Sequence, residues 1–264
     1  MLTQGEVDEL IAVAAELADA ARGATLRHFR RADLSADTKE ADCFDPVTIA
    51  DRESEDAMRA VLAQRRPQDG ILGEERLARA SRSGLTWVLD PIDGTRAYLA
   101  GLPTWGVLIA LADDNGPIYG LIDQPYINER FEGGFGYAQM QGPLGQRALK
   151  TRAPRALDQT IIMTTFPEVG TAAEGQAFHA LAKKCRLVRY GMDCYAYAML
   201  AAGHIDLVVE AGLQAYDVQA PIAVITAAGG VVTDWQGNPA SQGGRILAAA
   251  NAEVHALAAS ALNR

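Results

Sequence analysis

The stretch Trp87-Val88-Leu89-Asp90-Pro91-Ile92-Asp93-Gly94-Thr95 decides how the chain reads. Its first three residues are apolar and strand-like, and they run into an acid. Three positions later a second acid precedes Gly-Thr. Pro91 has no N–H for a sheet ladder, so the strand is expected to stop at Asp90 and a turn to follow. Such a turn can bring both carboxylates and the Ile92 carbonyl to one point, a hard, all-oxygen donor set suited to Mg²⁺. Gly94 allows close approach of backbone to a ligand, and Gly94 and Thr95 can open a helix whose free N–H groups bind an anion such as phosphate. Taken alone, the same residues also describe a surface turn with an N-cap, because turn chemistry selects Asp, Pro and Gly as well.

Further acids stand at similar places. Gly73-Glu74-Glu75 follows the strand-like pair 71–72, which sets Glu74 at a strand end. Residues 45–51 (DPVTIAD) put Asp51 in the first turn of a helix, and Tyr216-Asp217 opens the apolar helix 218–228. Each acid also has a local account. First-turn aspartates favour the helix dipole, and a loop glutamate is simply solvated.

The rest of the chain supplies a frame for them. Thr3 and Glu6 form a capping-box pattern, and Val7, Leu10, Ile11, Ala14, Leu17, Ala18 and Ala21 recur at helical spacing. A second helix is expected from about 48 to 66, ended by Pro67 and Gly70. Strands are expected at 71–72, 86–89, 105–111 and 118–122, with Asp114-Asn115-Gly116 as a hairpin turn and 130–138 continuing the sheet. From about residue 150 strands and helices alternate: 161–164, 172–183, 186–189, 194–202, 205–209, 218–228, 230–233 and 252–262. The fold class is therefore α/β, with an α+β half over 1–149 and an α/β half over 150–264. No repeat, low-complexity tract or long linker divides them, so 1–264 reads as a single body.

Composition narrows the function. The chain has 264 residues, 49% of them hydrophobic and 22% charged, enough for a sizeable core. Lys and Arg number 24 against 33 Asp and Glu, a net charge of −9. That balance disfavours nucleic-acid backbones and anionic membrane surfaces but not small anions, because a bound cation reverses the local sign. Cys43, Cys185 and Cys194 form no CxxC pair and read as reduced thiols of a cytoplasmic protein. The N-terminus lacks the basic start of a signal peptide, and the uncharged runs 97–112 and 218–233 are short of a bilayer span. Phosphate-loop, GxGxxG, HExxH and GxSxG patterns are absent, and the four histidines (His28, His179, His204, His255) are not spaced as ligands.

Together the segments 45–51 (DPVTIAD), 73–75 (GEE), 87–95 (WVLDPIDGT) and 216–233 (YDVQAPIAVITAAGGVVT) resemble the inositol monophosphatase family of Mg²⁺-dependent, lithium-sensitive phosphatases. They occur in the family's order and at its spacing across nearly the whole chain. The resemblance implies a layered αβαβα sandwich. It also implies that Glu74, Asp90 and the Ile92 carbonyl hold one Mg²⁺ and that Asp90, Asp93 and Asp217 hold a second, with a third, weaker ion left open. Asp51 and Thr95 would orient and deprotonate the attacking water, with Glu74 nearby. Asp93, Gly94 and Thr95 would cradle the phosphate. Arg189, Asp193, Glu210 and Asp217 fall where the family contacts its leaving group, and Lys39 is placed to neutralise charge near Asp51. Two departures are Tyr216, where many members have Trp, and Pro221, where small residues are commoner.

The expectation is a Mg²⁺-dependent phosphomonoesterase, homodimeric as the family commonly is. A non-catalytic anion-binding protein on the same fold is the alternative from another class. Segments 101–111 (GLPTWGVLIAL), 189–197 (RYGMDCYAY) and 201–210 (AAGHIDLVVE) look most like the histidinol-phosphatase branch. Histidinol phosphate carries an ammonium and an imidazole, which a wall containing Asp193 and Glu210 can attract. Inositol monophosphate and other small phosphate esters remain the alternative substrates.

Overall fold

Two helices lead the chain in the computed structural model, which describes residues 2–32, 36–38 and 46–263. Lys39, Cys43 and Asp45 lie outside the described residues. Helix α1 (Gln4–His28) begins at the expected capping box, where Thr3 N donates to Glu6 Oε2 at 2.7 Å and Glu6 N to Thr3 Oγ1 at 3.3 Å. Strands β1 (Ala36–Thr38) and β2 (Pro46–Thr48) form a two-stranded ribbon that leads into α2 (Ile49–Arg65).

The first large sheet follows in chain order: β3 (Gly70–Gly73), β4 (Thr86–Asp93), then the short helix α3 (Thr95–Leu99), then β5 (Gly106–Asp113), β6 (Gly116–Gln124), β7 (Glu129–Gly134), β8 (Tyr137–Gly142) and β9 (Gly145–Ala148). Its seven strands lie side by side in sequence order. Only the β3–β4 pair is parallel. The second half alternates: β10 (Ile161–Thr164), α4 (Ala172–Ala182), β11 (Leu187–Tyr190), α5 (Asp193–Ala201), β12 (Leu207–Leu213), α6 (Ala215–Ala227), β13 (Val231–Thr233), β14 (Gly244–Ala249) and α7 (Ala252–Leu262). Its five strands run β11-β10-β12-β14-β13.

Side-chain alternation along the strands stacks these elements into five layers. Trp87 and Leu89 of β4, with Val107, Ile109 and Leu111 of β5, pack under α1 and α2 against Leu10, Leu17, Met58 and Leu62. The intervening Val88, Leu108 and Ala110 point the other way, onto α5 and α6, whose far sides meet Val208, Ile246 and Ala248 of the second sheet. That sheet's other face carries Ile162, Leu207, Val209 and Leu247 against Phe178 and Leu181 of α4 and Val254 and Leu262 of α7. The order is α, β, α, β, α, as the family resemblance implies. Each fully buried Leu or Val contributes about 1.5–3 kcal/mol relative to exposure, so three contiguous clusters hold the layers firmly.

Some local expectations change. Strand β4 does not stop at Asp90 but runs through Pro91 to Asp93. Asp90 pairs with Leu108 and Asp93 with Gly106, so three steps on β4 match two on β5. The extra residue is a bulge, and Pro91 sits inside it, where no ladder N–H is required. The run 130–138 is two strands, turned at Phe135 (φ 50°) and Gly136 (φ 88°) in the primed-turn conformation hairpins favour. Helix α6 starts at Ala215, three residues earlier than expected, so Pro221 is its seventh residue rather than part of its opening. Strands β9 and β14 were not anticipated. The residues of β9 are all exposed and show no alternation, and β14 (GRILAA) lacks the β-branched run that marks a buried strand. Cys194 is buried and Cys185 half-buried, and both are free thiols. No helix among the described residues is long and apolar enough to cross a membrane.

Candidate active site

Chain reversals at the edge between the two sheets gather the acids. The β4 bulge turns Asp90 and Asp93 toward one point, and the start of α6 brings Asp217 to meet them. Oxygens of these three carboxylates all lie within 4.8 Å of one another. Asp217 enters already oriented, because Gln214 N donates to its Oδ2 at 2.6 Å across the first turn. The Ile92 N–H donates to Asp90 Oδ1 at 3.0 Å, which fixes the bulge, and the Ile92 carbonyl accepts from Thr95 Oγ1 at 3.2 Å with a second lone pair remaining.

Glu74 reaches the cluster from the end of β3. Its N–H donates to the Leu89 carbonyl at 3.2 Å, extending the parallel β3–β4 pairing by one residue. Beneath it the fully buried Glu55 carboxylate accepts the Glu75 N–H at 2.6 Å and Arg59 Nε at 2.7 Å. A Cβ on Gly73 would fall 2.2 Å from Glu55 Oε1, so only glycine lets the loop close on this anchor. Glu55 was not singled out in the sequence. Its signal is present, since it lies one turn beyond Asp51 on the same face of α2.

The electrostatics of this cluster call for a cation. Burial pushes the Asp90 carboxyl well above the usual range, and Glu74, Asp93 and Asp217 push it further. Asp93 is raised likewise, by burial first and then by Asp193 and Asp217. Carboxylates desolvated together resist ionisation unless a positive charge joins them. The donors are oxygens only, which suits a hard divalent ion rather than a thiolate- or imidazole-seeking one. Asp90, Asp93 and Asp217, with Glu74 acting on Asp90, therefore fit a divalent-metal site.

Asp51 and Thr95 meet as expected. Asp51 is buried in the first turn of α2, where Thr48 N (2.8 Å) and Thr48 Oγ1 (2.6 Å) both donate to its Oδ2. Its Oδ1 faces Thr95 Oγ1 at 3.4 Å. Burial lifts the Asp51 carboxyl to about 6 against the lowering effect of the Thr48 hydrogen bonds. A carboxyl tuned there can accept a proton near neutral pH.

Gly94 takes φ +87° as the residue before α3, and a Cβ there would lie 2.7 Å from Asp193 Cγ. Asp193 opens α5 at φ 47°, in the left-handed region, with its Oδ2 accepting Thr104 Oγ1 at 2.7 Å. The next N–H, of Cys194, donates to Asp93 Oδ2 at 2.6 Å. Glu210 faces this corner from β12. Thr165 N donates to one of its oxygens at 2.7 Å and Thr164 Oγ1 to the other at 3.1 Å. Burial raises Glu210 to about 7, with those hydrogen bonds opposing.

These groups surround a cavity of about 480 Å³ lined by Glu74, Asp93, Gly94, Thr95, Asp193, Glu210 and Asp217. Asp51 and Asp90 are more deeply buried and do not line it. Arg189 is not brought here: it is exposed on β11, an edge strand of the second sheet. Among the described residues the cationic side chain that lines the cavity is Arg96, one residue beyond Thr95, whose guanidinium stands 5.0 Å above the Phe166 ring. Neither Arg96 nor Phe166 was singled out in the sequence, although Arg96 adjoins the motif and Phe166 follows the end of β10. Tyr216 lines the cavity beside Asp217, in the aromatic place expected for it. A larger groove of about 620 Å³ beside α6 has no charged lining residue, so chemistry rather than volume selects the site.

Comparison with known proteins shows what the chain is similar to. A model of the inositol monophosphatase family matches residues 6–264. A chloroplast bifunctional phosphatase of Arabidopsis thaliana is 40% identical over 89% of this chain and 67% of its own. A histidinol-phosphatase of Chlorobaculum parvum is 32% identical over 90% of this chain and 91% of its own. The solved inositol monophosphatase of Zymomonas mobilis superposes with a TM-score of 0.86 at 39% identity, covering 100% of both chains.

Proposed function

The chain belongs to the inositol monophosphatase family and is a phosphoric monoester hydrolase, and on that premise we propose that its substrate is L-histidinol phosphate, cleaved to L-histidinol and phosphate. The observation that carries this choice is the acidic wall that adjoins the carboxylate cluster. Asp193 and Glu210 both face the cavity, where an ammonium or imidazolium on the leaving group finds a counter-charge. Inositol offers hydroxyls only and leaves such a charge unpaired, and discrimination is strong when a buried charge loses its partner.

Mg²⁺ is the cation we assign to the cluster. Glu74, Asp90 and the Ile92 carbonyl would hold one ion and Asp90, Asp93 and Asp217 another. When bound, Mg²⁺ supplies charge neutralisation for the phosphoryl oxygens and acidifies water. The protein's own groups do the rest. Thr95 Oγ1, between Asp51 Oδ1 and the Ile92 carbonyl, orients the attacking water and takes up its proton while passing its own hydroxyl proton to Asp51. Backbone at Asp93, Gly94 and Thr95 cradles the phosphate, helped by the open conformation of Gly94. Glu210, held at both oxygens, and Asp193, held by Thr104, keep the leaving group in place without moving.

Side-by-side kinetics test the choice of substrate. We expect a higher kcat/KM for L-histidinol phosphate than for myo-inositol 1-phosphate, and the reverse order overturns it. A cytoplasmic homodimer completes the reading. Exposed Leu187 and Tyr190 on the edge strand β11 support self-association, since unpaired apolar edges rarely stay bare. Light scattering at micromolar concentration checks it, and a monomer refutes it.

A further inference from the structure

Helix α5 carries Asp193 at its start and Tyr197 one turn later on the same face. Tyr197 is 4% exposed, and its hydroxyl has no hydrogen-bond partner among the described residues. The residue lines the active-site cavity. A buried hydroxyl left unsatisfied is unfavourable, and native proteins keep few of them. A phenylalanine would fill the same volume without that cost. Nothing in the hydrolysis described above uses this group.

Its surroundings say what it can bind. The charged groups acting on the phenol are Glu210 first, then Asp93 and Asp217, and with burial they keep it protonated. It therefore offers one O–H donor and its oxygen lone pairs. Glu210 already accepts from Thr164 and Thr165, one bond at each oxygen, and each oxygen retains capacity for another. Tyr197 and Glu210 share the cavity without bonding each other. A guest that bridges them must accept from the phenol and donate to the carboxylate. A sugar or polyol hydroxyl does both, and so does a neutral imidazole. An aryl or alkyl leaving group does neither.

We propose that Tyr197 is a specificity-determining residue, whose hydroxyl together with Glu210 grips a group on the alcohol half of the substrate that both accepts and donates a hydrogen bond. This rests on the phosphatase reading of the site but not on the choice of L-histidinol phosphate. The hydroxyl stays unsatisfied in the free protein because its partner arrives with the substrate. That gives Tyr197→Phe a signature that a structural role does not share.

The test uses Tyr197→Phe in the full chain with two readouts. The first is thermal stability without metal or substrate, which should be unchanged or raised. The second is the ratio of kcat/KM on the better of L-histidinol phosphate and myo-inositol 1-phosphate to kcat/KM on phenyl phosphate. That ratio should fall about tenfold, mainly through KM, the size of one hydrogen bond to a polar guest. A larger loss on L-histidinol phosphate identifies the imidazole as the guest, and a larger loss on inositol phosphate identifies a hydroxyl. A ratio within about twofold of wild type overturns the proposal. So does a drop in melting temperature, which would reveal a partner within the protein. Wild-type preference for inositol phosphate would refute the substrate reading above while leaving this one intact.

Discussion

Thr95 Oγ1 stands 3.4 Å from Asp51 Oδ1 and 3.2 Å from the Ile92 carbonyl, so one hydroxyl joins the start of α2 to the bulge that carries the acids. Asp51 is thereby divided between two tasks. Its Oδ2 caps α2 through Thr48, and its Oδ1 faces the reaction. Asp51→Asn keeps an oxygen for the cap but cannot take a proton. We expect it to fold, with kcat lowered about 10²–10⁴-fold and KM little changed, the usual size of a lost general base. Steady-state kinetics beside a melting curve check this. A loss in kcat under about threefold would remove Asp51 from the chemistry.

Asp90 and Glu75 make a matched pair of acids for a second comparison. Asp90 is buried among Glu74, Asp93 and Asp217, whereas Glu75 is anchored through its backbone N–H on Glu55 and does not line the cavity. Asp90→Asn should abolish most metal-dependent turnover, because the residue would be shared by both proposed ion positions. Glu75→Gln should stay within about threefold of wild type, because Glu75 does not line the cavity and its charge acts on Asp51 less than burial and the Thr48 hydrogen bonds do. Equal activities would contradict the assignment of ligands.

The layers and the acids were legible in the sequence for separate physical reasons. The apolar runs 86–89 and 105–111 were legible because each strand there buries both faces, one under α1 and α2 and the other against α5 and α6. Asp90, Asp93 and Asp217 stood out because acids at strand ends and helix starts follow local backbone chemistry. What could not be read depends on distant partners. Arg96 and Phe166 meet because α3 and the end of β10 face one cavity, and Arg189, exposed on the edge strand β11, does not line it. The strand at Pro91 continued because a bulge needs pairing with β5 to exist, and β14 owes its place to β12 and β13 rather than to its own residues.

The raised carboxyls also set how stability responds to pH. Asp51 has a pKa of about 6 when folded against an ordinary 3.8, so the folded state holds more protons through that interval. Stability from this group is present at low pH and lost as pH rises through about 6. Buried Asp90 and Asp93, also raised, act with the same sign. Lowered carboxyls such as Asp69 and Glu174 oppose it but titrate at more acid pH. In chelator, the melting temperature should therefore rise as pH falls from about 7.5 to about 5.5. Mg²⁺ should raise it at pH 7.5, adding about 2.7 kcal/mol of stability at a hundred times its Kd, and should raise it less at pH 5.5, where protons compete for the ligands. Scanning calorimetry over that range decides it. A metal-free protein that melts lower at pH 5.5, with no gain from Mg²⁺, would contradict the acidic cluster as a cation site.

Glu210 gives the substrate reading its own pH signature. Burial holds its carboxyl at about 7, although Thr165 and Thr164 favour the charged form. Below that pH it is a neutral acid, which can still hydrogen-bond a hydroxyl but no longer pairs with an ammonium. For L-histidinol phosphate, kcat/KM should therefore fall as pH drops from about 8 to about 6, mostly through KM, with the charge of Glu210 as the cause. For myo-inositol 1-phosphate the same limb should be shallower. Glu210→Gln fixes the neutral form at every pH, so it should flatten the difference between the two profiles. It should also cut the preference for L-histidinol phosphate about tenfold or more, the worth of a hydrogen bond to a charged group. Thr165 N can still donate to the amide oxygen and Thr164 Oγ1 can turn to accept from the amide N–H, so the variant should keep its fold. Parallel profiles on the two substrates in the wild type, with an unchanged preference in Glu210→Gln, would show that Glu210 does not read the charge of the leaving group.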